Sequence, residues 1–420
     1  MSKETKQLKY NTIALMIIQF LNYVLPFITL PYVARIFTVE KFGLIFYAQV
    51  LMDYFWRLVM FGFDLSGTRT IAINCENQKE INKTFNTIIS IQVIFLVIGF
   101  AILTCITVFI PKFREDWLIY HLTYISLIGQ VALVTWFYQG MQRMKFITIL
   151  NIITRSLFLI LIFIFIKQPQ DYILYPLYNS VSYLIAGAIS ILFIKKIFNI
   201  KIQIPKLKDI WGTLKYSNEF FLTKIAIGLY RQTNAFVLGL LCTTTAVAYY
   251  VAADKIFWAV ISLYLTFINA LFPYMSKTKD LTFFRKMLKY LIILSIGASL
   301  FLLLASKYLI LIFYSDKFTE AIKILQIFSI SFAFYVFVDT LGMPLLGAFG
   351  YTREANLGYI IGGIYNVLGL FILYFTHSIN IYSVAILVSS TYLIMFINRI
   401  YYIKKYDLLN TKEITCNSNN

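Results

Sequence analysis

Five basic side chains lie inside long apolar stretches, where a lipid bilayer would ordinarily exclude charge. A charged side chain at the centre of a bilayer costs about 2.5–3.5 kcal/mol on insertion scales, so it usually faces a partner or a water-filled cavity. The planar guanidinium of arginine also suits phosphate oxygens. The sequence therefore predicts a cationic cavity for a phosphorylated ligand, with buried inter-helix ion pairs as the alternative. The five residues are Arg57, Arg155, Lys224, Arg231 and Lys255.

A sixth basic residue, Arg399, also falls inside an apolar stretch but lies close to its predicted cytoplasmic end. Long basic side chains near a helix end can extend their charged head to the membrane surface while the stem stays in the apolar layer. We therefore expect Arg399 to be interfacial, and we leave it out of the predicted site.

Polar residues recur at helical spacing in four apolar stretches. Residues of the second stretch are separated by four, four and seven positions, which places them on one helix face. Asp53 and Arg57 on this face can pair at i,i+4. Similar faces in the first, seventh and eighth stretches predict a central cavity between two lobes, because corresponding stretches of two halves carry them. The faces are Gln49, Asp53, Arg57 and Asp64; Gln19, Asn22, Pro26 and Thr29; Ser217, Lys224, Gly228 and Arg231; and Asp254, Trp258, Ser262, Thr266, Asn269 and Pro273.

These faces lead to three groups of predicted site residues. Hydrogen bonding between helices and harmless proline kinks are the alternatives for their polar and proline members. Substrate binding is assigned to the five interior basic residues with Gln19 and Asn22. Ion coupling or counter-charge is assigned to Asp53, Asp254 and Asp339. A gating or structural role is assigned to Asp64, Arg69, Pro26 and Pro273.

The elements that carry these residues must be membrane-spanning helices. Of the 420 residues 60% are hydrophobic and only 13% are charged, against about 25% charged in soluble domains. A run of about 20 apolar residues spans a bilayer as a helix, and no alternating ten-residue segments indicate a barrel. The sequence predicts an all-α polytopic membrane protein with about twelve transmembrane helices. The predicted spans are 11–36, 43–64, 84–110, 117–138, 145–167, 172–196, 213–240, 247–275, 287–305, 322–347, 355–376 and 381–403.

Loop charges predict the orientation and the division into halves. The formal net charge is +18, and most lysines and arginines between spans fall on the side of the N-terminus. The positive-inside rule then places both termini in the cytoplasm. The longest basic linker separates two six-helix bundles. The predicted segments are an N-terminal bundle at 1–196, a linker at 197–212, a C-terminal bundle at 213–403 and a cytoplasmic tail at 404–420.

Several function classes are excluded by missing features. The four cysteines are scattered, so neither a disulfide framework nor a metal site is predicted. The chain has no P-loop pattern and only two histidines, and no cofactor is expected. The basic residues sit between apolar runs, so they indicate membrane topology rather than nucleic acid binding. Short external loops argue against a glycosyltransferase or polymerase, and the chain is therefore expected to be a transporter and not an enzyme.

Several segments resemble the polysaccharide-transporter family, and specifically its Wzx-type O-antigen flippases. The family belongs to the multidrug/oligosaccharidyl-lipid/polysaccharide exporter superfamily. The most specific segment runs from Phe61 to Ala72, with the sequence FGFDLSGTRTIA. The other similar segments are Phe42-Gly43-Leu44, Ala246 to Lys255, Phe272-Pro273 and Ile310 to Gln326.

The resemblance implies two six-helix bundles around a V-shaped cavity and transport by alternating access. It implies an undecaprenyl-pyrophosphate-linked oligosaccharide as cargo, moved from the cytoplasmic to the periplasmic leaflet, and coupling to a proton or sodium gradient. A polysaccharide polymerase and a chain-length regulator are expected partners, beside membrane lipid. A drug or cation exporter of the same superfamily is the main alternative, although it would be expected to have an acidic cavity.

Overall fold

The computed structural model describes residues 27–408, without the side chains of 222–227, 229, 230 and 270. The predicted site residues Gln19, Asn22 and Pro26 lie outside the described residues, as does the side chain of Lys224. Every regular element between 27 and 408 is a helix. This confirms the all-α prediction.

The chain folds into two units, Met1–Ile225 and Ala226–Asn420. The division falls within one long helix, α10, whose first half belongs to the N-terminal unit. The N-terminal unit also contains nine helices in its described part and a 3₁₀ turn at Pro169–Ile173. The nine are α1 (Phe27–Ile36), α2 (Val39–Met60), α3 (Phe63–Ile73), α4 (Gln78–Phe109), α5 (Pro111–Arg114), α6 (Trp117–Ala132), α7 (Thr135–Gly140), α8 (Met144–Phe165) and α9 (Leu174–Ile197).

The C-terminal unit takes the second half of α10 (Leu207–Leu241) and five further α-helices. A short 3₁₀ turn, Asp316–Phe318, precedes the third of these. The same helix passes at its end into a π-helical segment, Gly342–Gly347, which contains Pro344. The five helices are α11 (Thr244–Thr278), α12 (Leu281–Phe313), α13 (Glu320–Leu341), α14 (Thr352–Phe375) and α15 (Ile381–Lys405).

Ten helical segments of the described chain are long and apolar enough to cross a membrane. They include Val39–Ile73, which joins α2 and α3. The described part of the first predicted span, α1, is shorter. The seventh predicted span coincides with α10, which carries six charged residues and is not among the ten. The protein is thus a multi-pass membrane protein, whereas the number twelve stays a prediction.

A sharp break between α2 and α3 explains Gly62, the first of two glycines in the most specific sequence segment. Phe61 and Gly62 both adopt left-handed backbone conformations, with φ of 42° and 75°. A Cβ at Gly62 would stand 2.8 Å from the backbone nitrogen of Phe221 in α10. The Phe61 and Phe221 rings stack with centroids 4.2 Å apart. The backbone turn and the close approach therefore both require glycine.

Helices α6 and α9 pack backbone to backbone in the N-terminal unit. A Cβ at Gly129 of α6 would overlap the backbone of Tyr183 in α9. Small residues let membrane helices approach closely, which increases their van der Waals contact. The same pair of helices is joined by Ser180 Oγ, which donates a hydrogen bond to the carbonyl of Leu122.

Candidate functional site

An arginine stacked on a tryptophan marks the middle of the C-terminal unit. The guanidinium carbon of Arg231 on α10 lies 3.9 Å from the ring centroid of Trp258 on α11. Arg231 is exposed, and Trp258 is half-buried. Trp258 is about 21 Å along the helix axis from the nearer end of α11, given a rise of 1.5 Å per residue. The arginine therefore sits at a depth that corresponds to the interior of a bilayer.

Two aspartates lie within electrostatic range of Arg231. Asp254 is one turn before Trp258 on α11, and its carboxylate accepts a hydrogen bond from the indole. Asp339 on α13 is the second. Within residues 27–408 Arg231 forms no salt bridge with either carboxylate. The structure thus brings together three of the predicted site residues, and it leaves the guanidinium exposed.

Asp339 is enclosed by groups that the sequence analysis did not select. The hydroxyl of Tyr359 on α14 donates a hydrogen bond to its carboxylate, and so does that of Tyr335, one turn earlier on α13. Arg399 on α15 adds a positive charge nearby. The guanidinium carbon of Arg399 lies 5.0 Å from the Tyr359 ring centroid. Helices α13, α14 and α15 therefore share one polar network.

The expectation that Arg399 reaches the membrane surface is wrong. Its side chain is fully buried, with 0% exposure. Nη1 donates to the carbonyl of Glu354 at 2.9 Å, and Nε donates to that of Val338 at 3.3 Å. Gly358 and Gly342 leave the room for the guanidinium. Position along a helix does not reveal which way a side chain points, and here the carbonyls of two neighbouring helices hold it inside.

The remaining polar face of α11 does not form one uniform surface. Ser262 is buried and donates to the carbonyl of Ala259 at 2.6 Å. Lys255, Thr266, Asn269 and Pro273 are exposed. Helix α11 continues as an α-helix through Pro273. Successive steps of four residues turn gradually around a helix with 3.6 residues per turn, so a long stripe passes from one environment to another.

A second polar group lies in the N-terminal unit. The Gln49 side chain on α2 hydrogen-bonds Tyr175 on α9, and Arg155 on α8 is within electrostatic range of the same tyrosine. Tyr175 is buried among aromatic rings, including that of Phe158. The structure therefore places Arg155 with the polar face of α2, which spacing within one helix could not show. On that face Asp53 is exposed and Arg57 is half-buried.

The predicted gate residues of α3 lie beside a tightly packed helix end. Asp64 is half-buried in the first turn of α3, and Arg69 is exposed. Ser66 is buried and shares a hydrogen bond of 2.8 Å with Ser217 of α10. Ser217 was predicted to share a face with Arg231, but it is buried in the N-terminal unit, whereas Arg231 is exposed.

Sequence reasoning missed three members of the C-terminal network. Tyr335 precedes Asp339 by four residues on the same helix, and this spacing could have pointed to it. Tyr359 and Arg399 come from other helices, and nothing in the sequence connects them with Asp339. No group of three or more metal-ligating side chains occurs in the described part of the chain.

Comparisons with known proteins agree with one another. Residues 8–279 match the sequence model of a family described as polysaccharide biosynthesis protein. A candidate O-antigen transporter of Escherichia coli (strain K12) is 26% identical over 377 residues, which cover 88% of this chain and 91% of the relative. One from Shigella dysenteriae is 31% identical over 287 residues, which cover 68% and 72%.

Two solved structures are similar along nearly the whole chain. The lipid II flippase MurJ, in an inward closed conformation, has a TM-score of 0.71 at 15% identity. The superposition covers 95% of this chain and 89% of the flippase chain. An inward-facing multidrug resistance MATE family transporter of the MOP superfamily has a TM-score of 0.68 at 13% identity, with 96% and 100% covered. At these identities the likeness shows a shared fold.

Proposed function

This chain belongs to the polysaccharide biosynthesis protein family, and from that premise we propose that it is a flippase for a lipid-linked glycan. The protein is a multi-pass membrane transporter rather than an enzyme. The family match and the two transporter relatives both support this class. The MurJ and MATE structures share its fold.

The proposed cargo is an undecaprenyl-pyrophosphate-linked oligosaccharide, such as an O-antigen repeat unit, moved from the cytoplasmic to the periplasmic leaflet. Both relatives are described as candidate O-antigen transporters. The pyrophosphate requires cationic partners in a region that water can reach, because lipid alone would exclude its charge. We further propose that the protein resides in the bacterial inner membrane with both termini cytoplasmic, where a polysaccharide polymerase and a chain-length regulator would act on the product.

The exposed guanidinium of Arg231 is the observation that supports this cargo best. It lies beside the middle of α11, and it forms no salt bridge with a described carboxylate. A lipid-facing arginine at this depth would be costly, so the group is expected to face water or an anionic ligand. The guanidinium lies over the Trp258 ring, and its planar fork of N–H donors suits phosphate oxygens.

We assign ion coupling to the two aspartates near Arg231. Alternating access yields net transport only if a bound ion or cargo favours one conformation over the other. Asp339 contacts three helices through its tyrosine partners and Arg399, so a change in its charge would act on α13, α14 and α15 together. A proton or a sodium ion would supply that change of charge. The drug-exporter alternative explains the acids but gives no role to Arg231.

The proposal is tested by transport in proteoliposomes with a fluorescent undecaprenyl-pyrophosphate glycan. Translocation is followed as protection from a membrane-impermeant quencher. Arg231→Ala is expected to slow it roughly 10- to 100-fold, because a charge-assisted hydrogen bond contributes about 1.5–3 kcal/mol. The translocation rate of Arg231→Lys should lie between those of the unaltered protein and Arg231→Ala, since lysine keeps the charge but has no planar group to lie over the tryptophan.

Arg353→Ala is the matched control. Arg353 is an exposed arginine at the start of α14, far along the chain from the Arg231–Trp258 stack. Its removal should leave translocation within about twofold of the unaltered protein, as for most surface substitutions. Thermal unfolding of each variant excludes loss of fold as the cause. Full translocation by Arg231→Ala, or export of cationic drugs in place of the glycan, would refute the proposal.

A further inference from the structure

The basic linker after α9 is fixed to α4 rather than free. Three amide side chains at steps of four residues on α4, those of Gln78, Asn82 and Asn86, hold its backbone. Gln78 donates to the carbonyl of Phe198 at 2.9 Å, and Asn86 donates to that of Lys201 at 2.8 Å. Asn86 also accepts from the amide of Gln203 at 3.0 Å. The linker therefore keeps a defined position at the end of the N-terminal unit.

A cavity of about 650 Å³ lies beneath this fixed linker. Its volume falls in the range of about 300–1,000 Å³ that is typical of ligand sites. The walls come from the cytoplasmic ends of α4 and α9, as predicted by the loop charges, and from the linker itself. The apolar lining residues are Phe85, Ile89, Ile191, Ile194, Ile200 and Ile202.

The polar part of the cavity is positive. Lys195 and Lys201 line it, and no carboxylate of the described chain does. Neither lysine forms a salt bridge with a described carboxylate. The acid in the first turn of the following helix, Asp209, is paired with Lys83 at 2.9 Å. Two such lysines beside an apolar groove are complementary to a ligand with an anionic head and a hydrocarbon body.

The linker also presents apolar side chains outward. Ile202 is 88% exposed and Ile204 is 97% exposed. Leu207 and Trp211 at the start of α10 are 86% and 72% exposed. Such side chains alternate with lysines and lie where candidate membrane helices end. This combination is typical of a segment that rests in the interfacial layer of a bilayer.

We propose that this cavity is a binding site for an anionic phospholipid of the cytoplasmic leaflet. One acyl chain occupies the groove between α4 and α9, and the phosphate lies between the ammonium groups of Lys195 and Lys201. Ile202 and Ile204 insert beside it. The site is separate from the polar networks assigned to transport, and it would hold the linker at the membrane surface.

The site is tested on the full-length protein in detergent by native mass spectrometry with defined lipids. Phosphatidylglycerol is compared with phosphatidylcholine of the same acyl chains. Phosphatidylglycerol should bind more tightly, and Lys195→Ala/Lys201→Ala should weaken it roughly thirtyfold, because each lysine near an anionic headgroup contributes about 1 kcal/mol. Asn86→Ala, which releases the linker backbone, should weaken it while both lysines remain.

Lys206→Ala/Lys208→Ala is the matched control, because it removes the same charge from exposed positions at the end of the linker and the start of α10 that do not line the cavity. It should change binding by less than about threefold, since exposed charges at a distance are largely screened. Inorganic phosphate should not displace the lipid. Equal loss in the control, equal binding of the two lipids, displacement by phosphate, or tighter binding of a polyprenyl phosphate would each overturn the assignment. The measurement involves no transport, so its outcome is independent of the proposed function.

Discussion

The two units carry similar polar side chains in opposite surroundings. In the C-terminal unit, Asp339 is enclosed by two tyrosine hydroxyls and the fully buried Arg399. In the N-terminal unit, Asp53 is exposed and Arg57 is half-buried on the polar face of α2. Both patterns consist of acids and bases inside apolar helices. The first is a buried network that joins three helices, whereas the second includes an exposed aspartate and a half-buried arginine.

The difference shows that a charge in a membrane helix has two uses that its spacing does not distinguish. A base enclosed by carbonyls and glycines, such as Arg399, links neighbouring helices. A base with an exposed guanidinium, such as Arg231, is available to a ligand. The same C-terminal unit contains both, so the distinction is made by the local packing around each side chain and not by the unit.

The largest effect on stability is expected from Arg399→Ala. The change removes a buried cation beside Asp339 and two hydrogen bonds to helix carbonyls. Breaking a buried charged network costs about 3–5 kcal/mol. Unfolding by denaturing detergent, followed by circular dichroism, measures the loss. Lys404→Ala, an exposed basic residue on the same helix, should change stability by less than about 0.5 kcal/mol. Equal stability of the two variants would contradict the burial of Arg399 in the polar network of α13, α14 and α15.

A smaller effect on stability and a selective one on transport are expected from Asp339→Asn. Asparagine cannot carry the charge that ion coupling requires, and it accepts fewer hydrogen bonds from Tyr335 and Tyr359. Glycan translocation driven by an imposed proton or sodium gradient should fall about tenfold. The reason is that the variant loses the free energy of about one charge-assisted hydrogen bond. The exposed Asp316→Asn is the control. An unchanged dependence on both gradients in Asp339→Asn would assign the network to structure alone.

The smallest effect is expected from Tyr175→Phe in the N-terminal unit. It removes the hydroxyl that pairs with Gln49 and keeps the aromatic packing. A single neutral hydrogen bond contributes about 1 kcal/mol. Tyr178→Phe on the same helix should have less effect, and a double-mutant cycle with Gln49→Ala should show coupling only for Tyr175. Additive effects in that cycle would mean that Gln49 of α2 and Tyr175 of α9 do not belong to a common site.

Within one helix, the sequence by itself was informative about the site. The runs of apolar residues determined an all-α membrane protein, since lipid leaves the backbone few other ways to satisfy its hydrogen bonds. Spacing placed Asp254 one turn from Trp258 correctly. The interior basic residues were visible because a bilayer makes each of them costly.

Only the tertiary structure decided which of these charges are enclosed. Arg399 belongs inside because carbonyls of α13 and α14 and the space at Gly342 and Gly358 meet around it. Tyr359 reaches Asp339 from another helix, and the amides of α4 fix a linker more than a hundred residues away. These contacts depend on how helices rotate and pack against each other. A helix period fixes which residues share a face, but it carries no information about what that face meets.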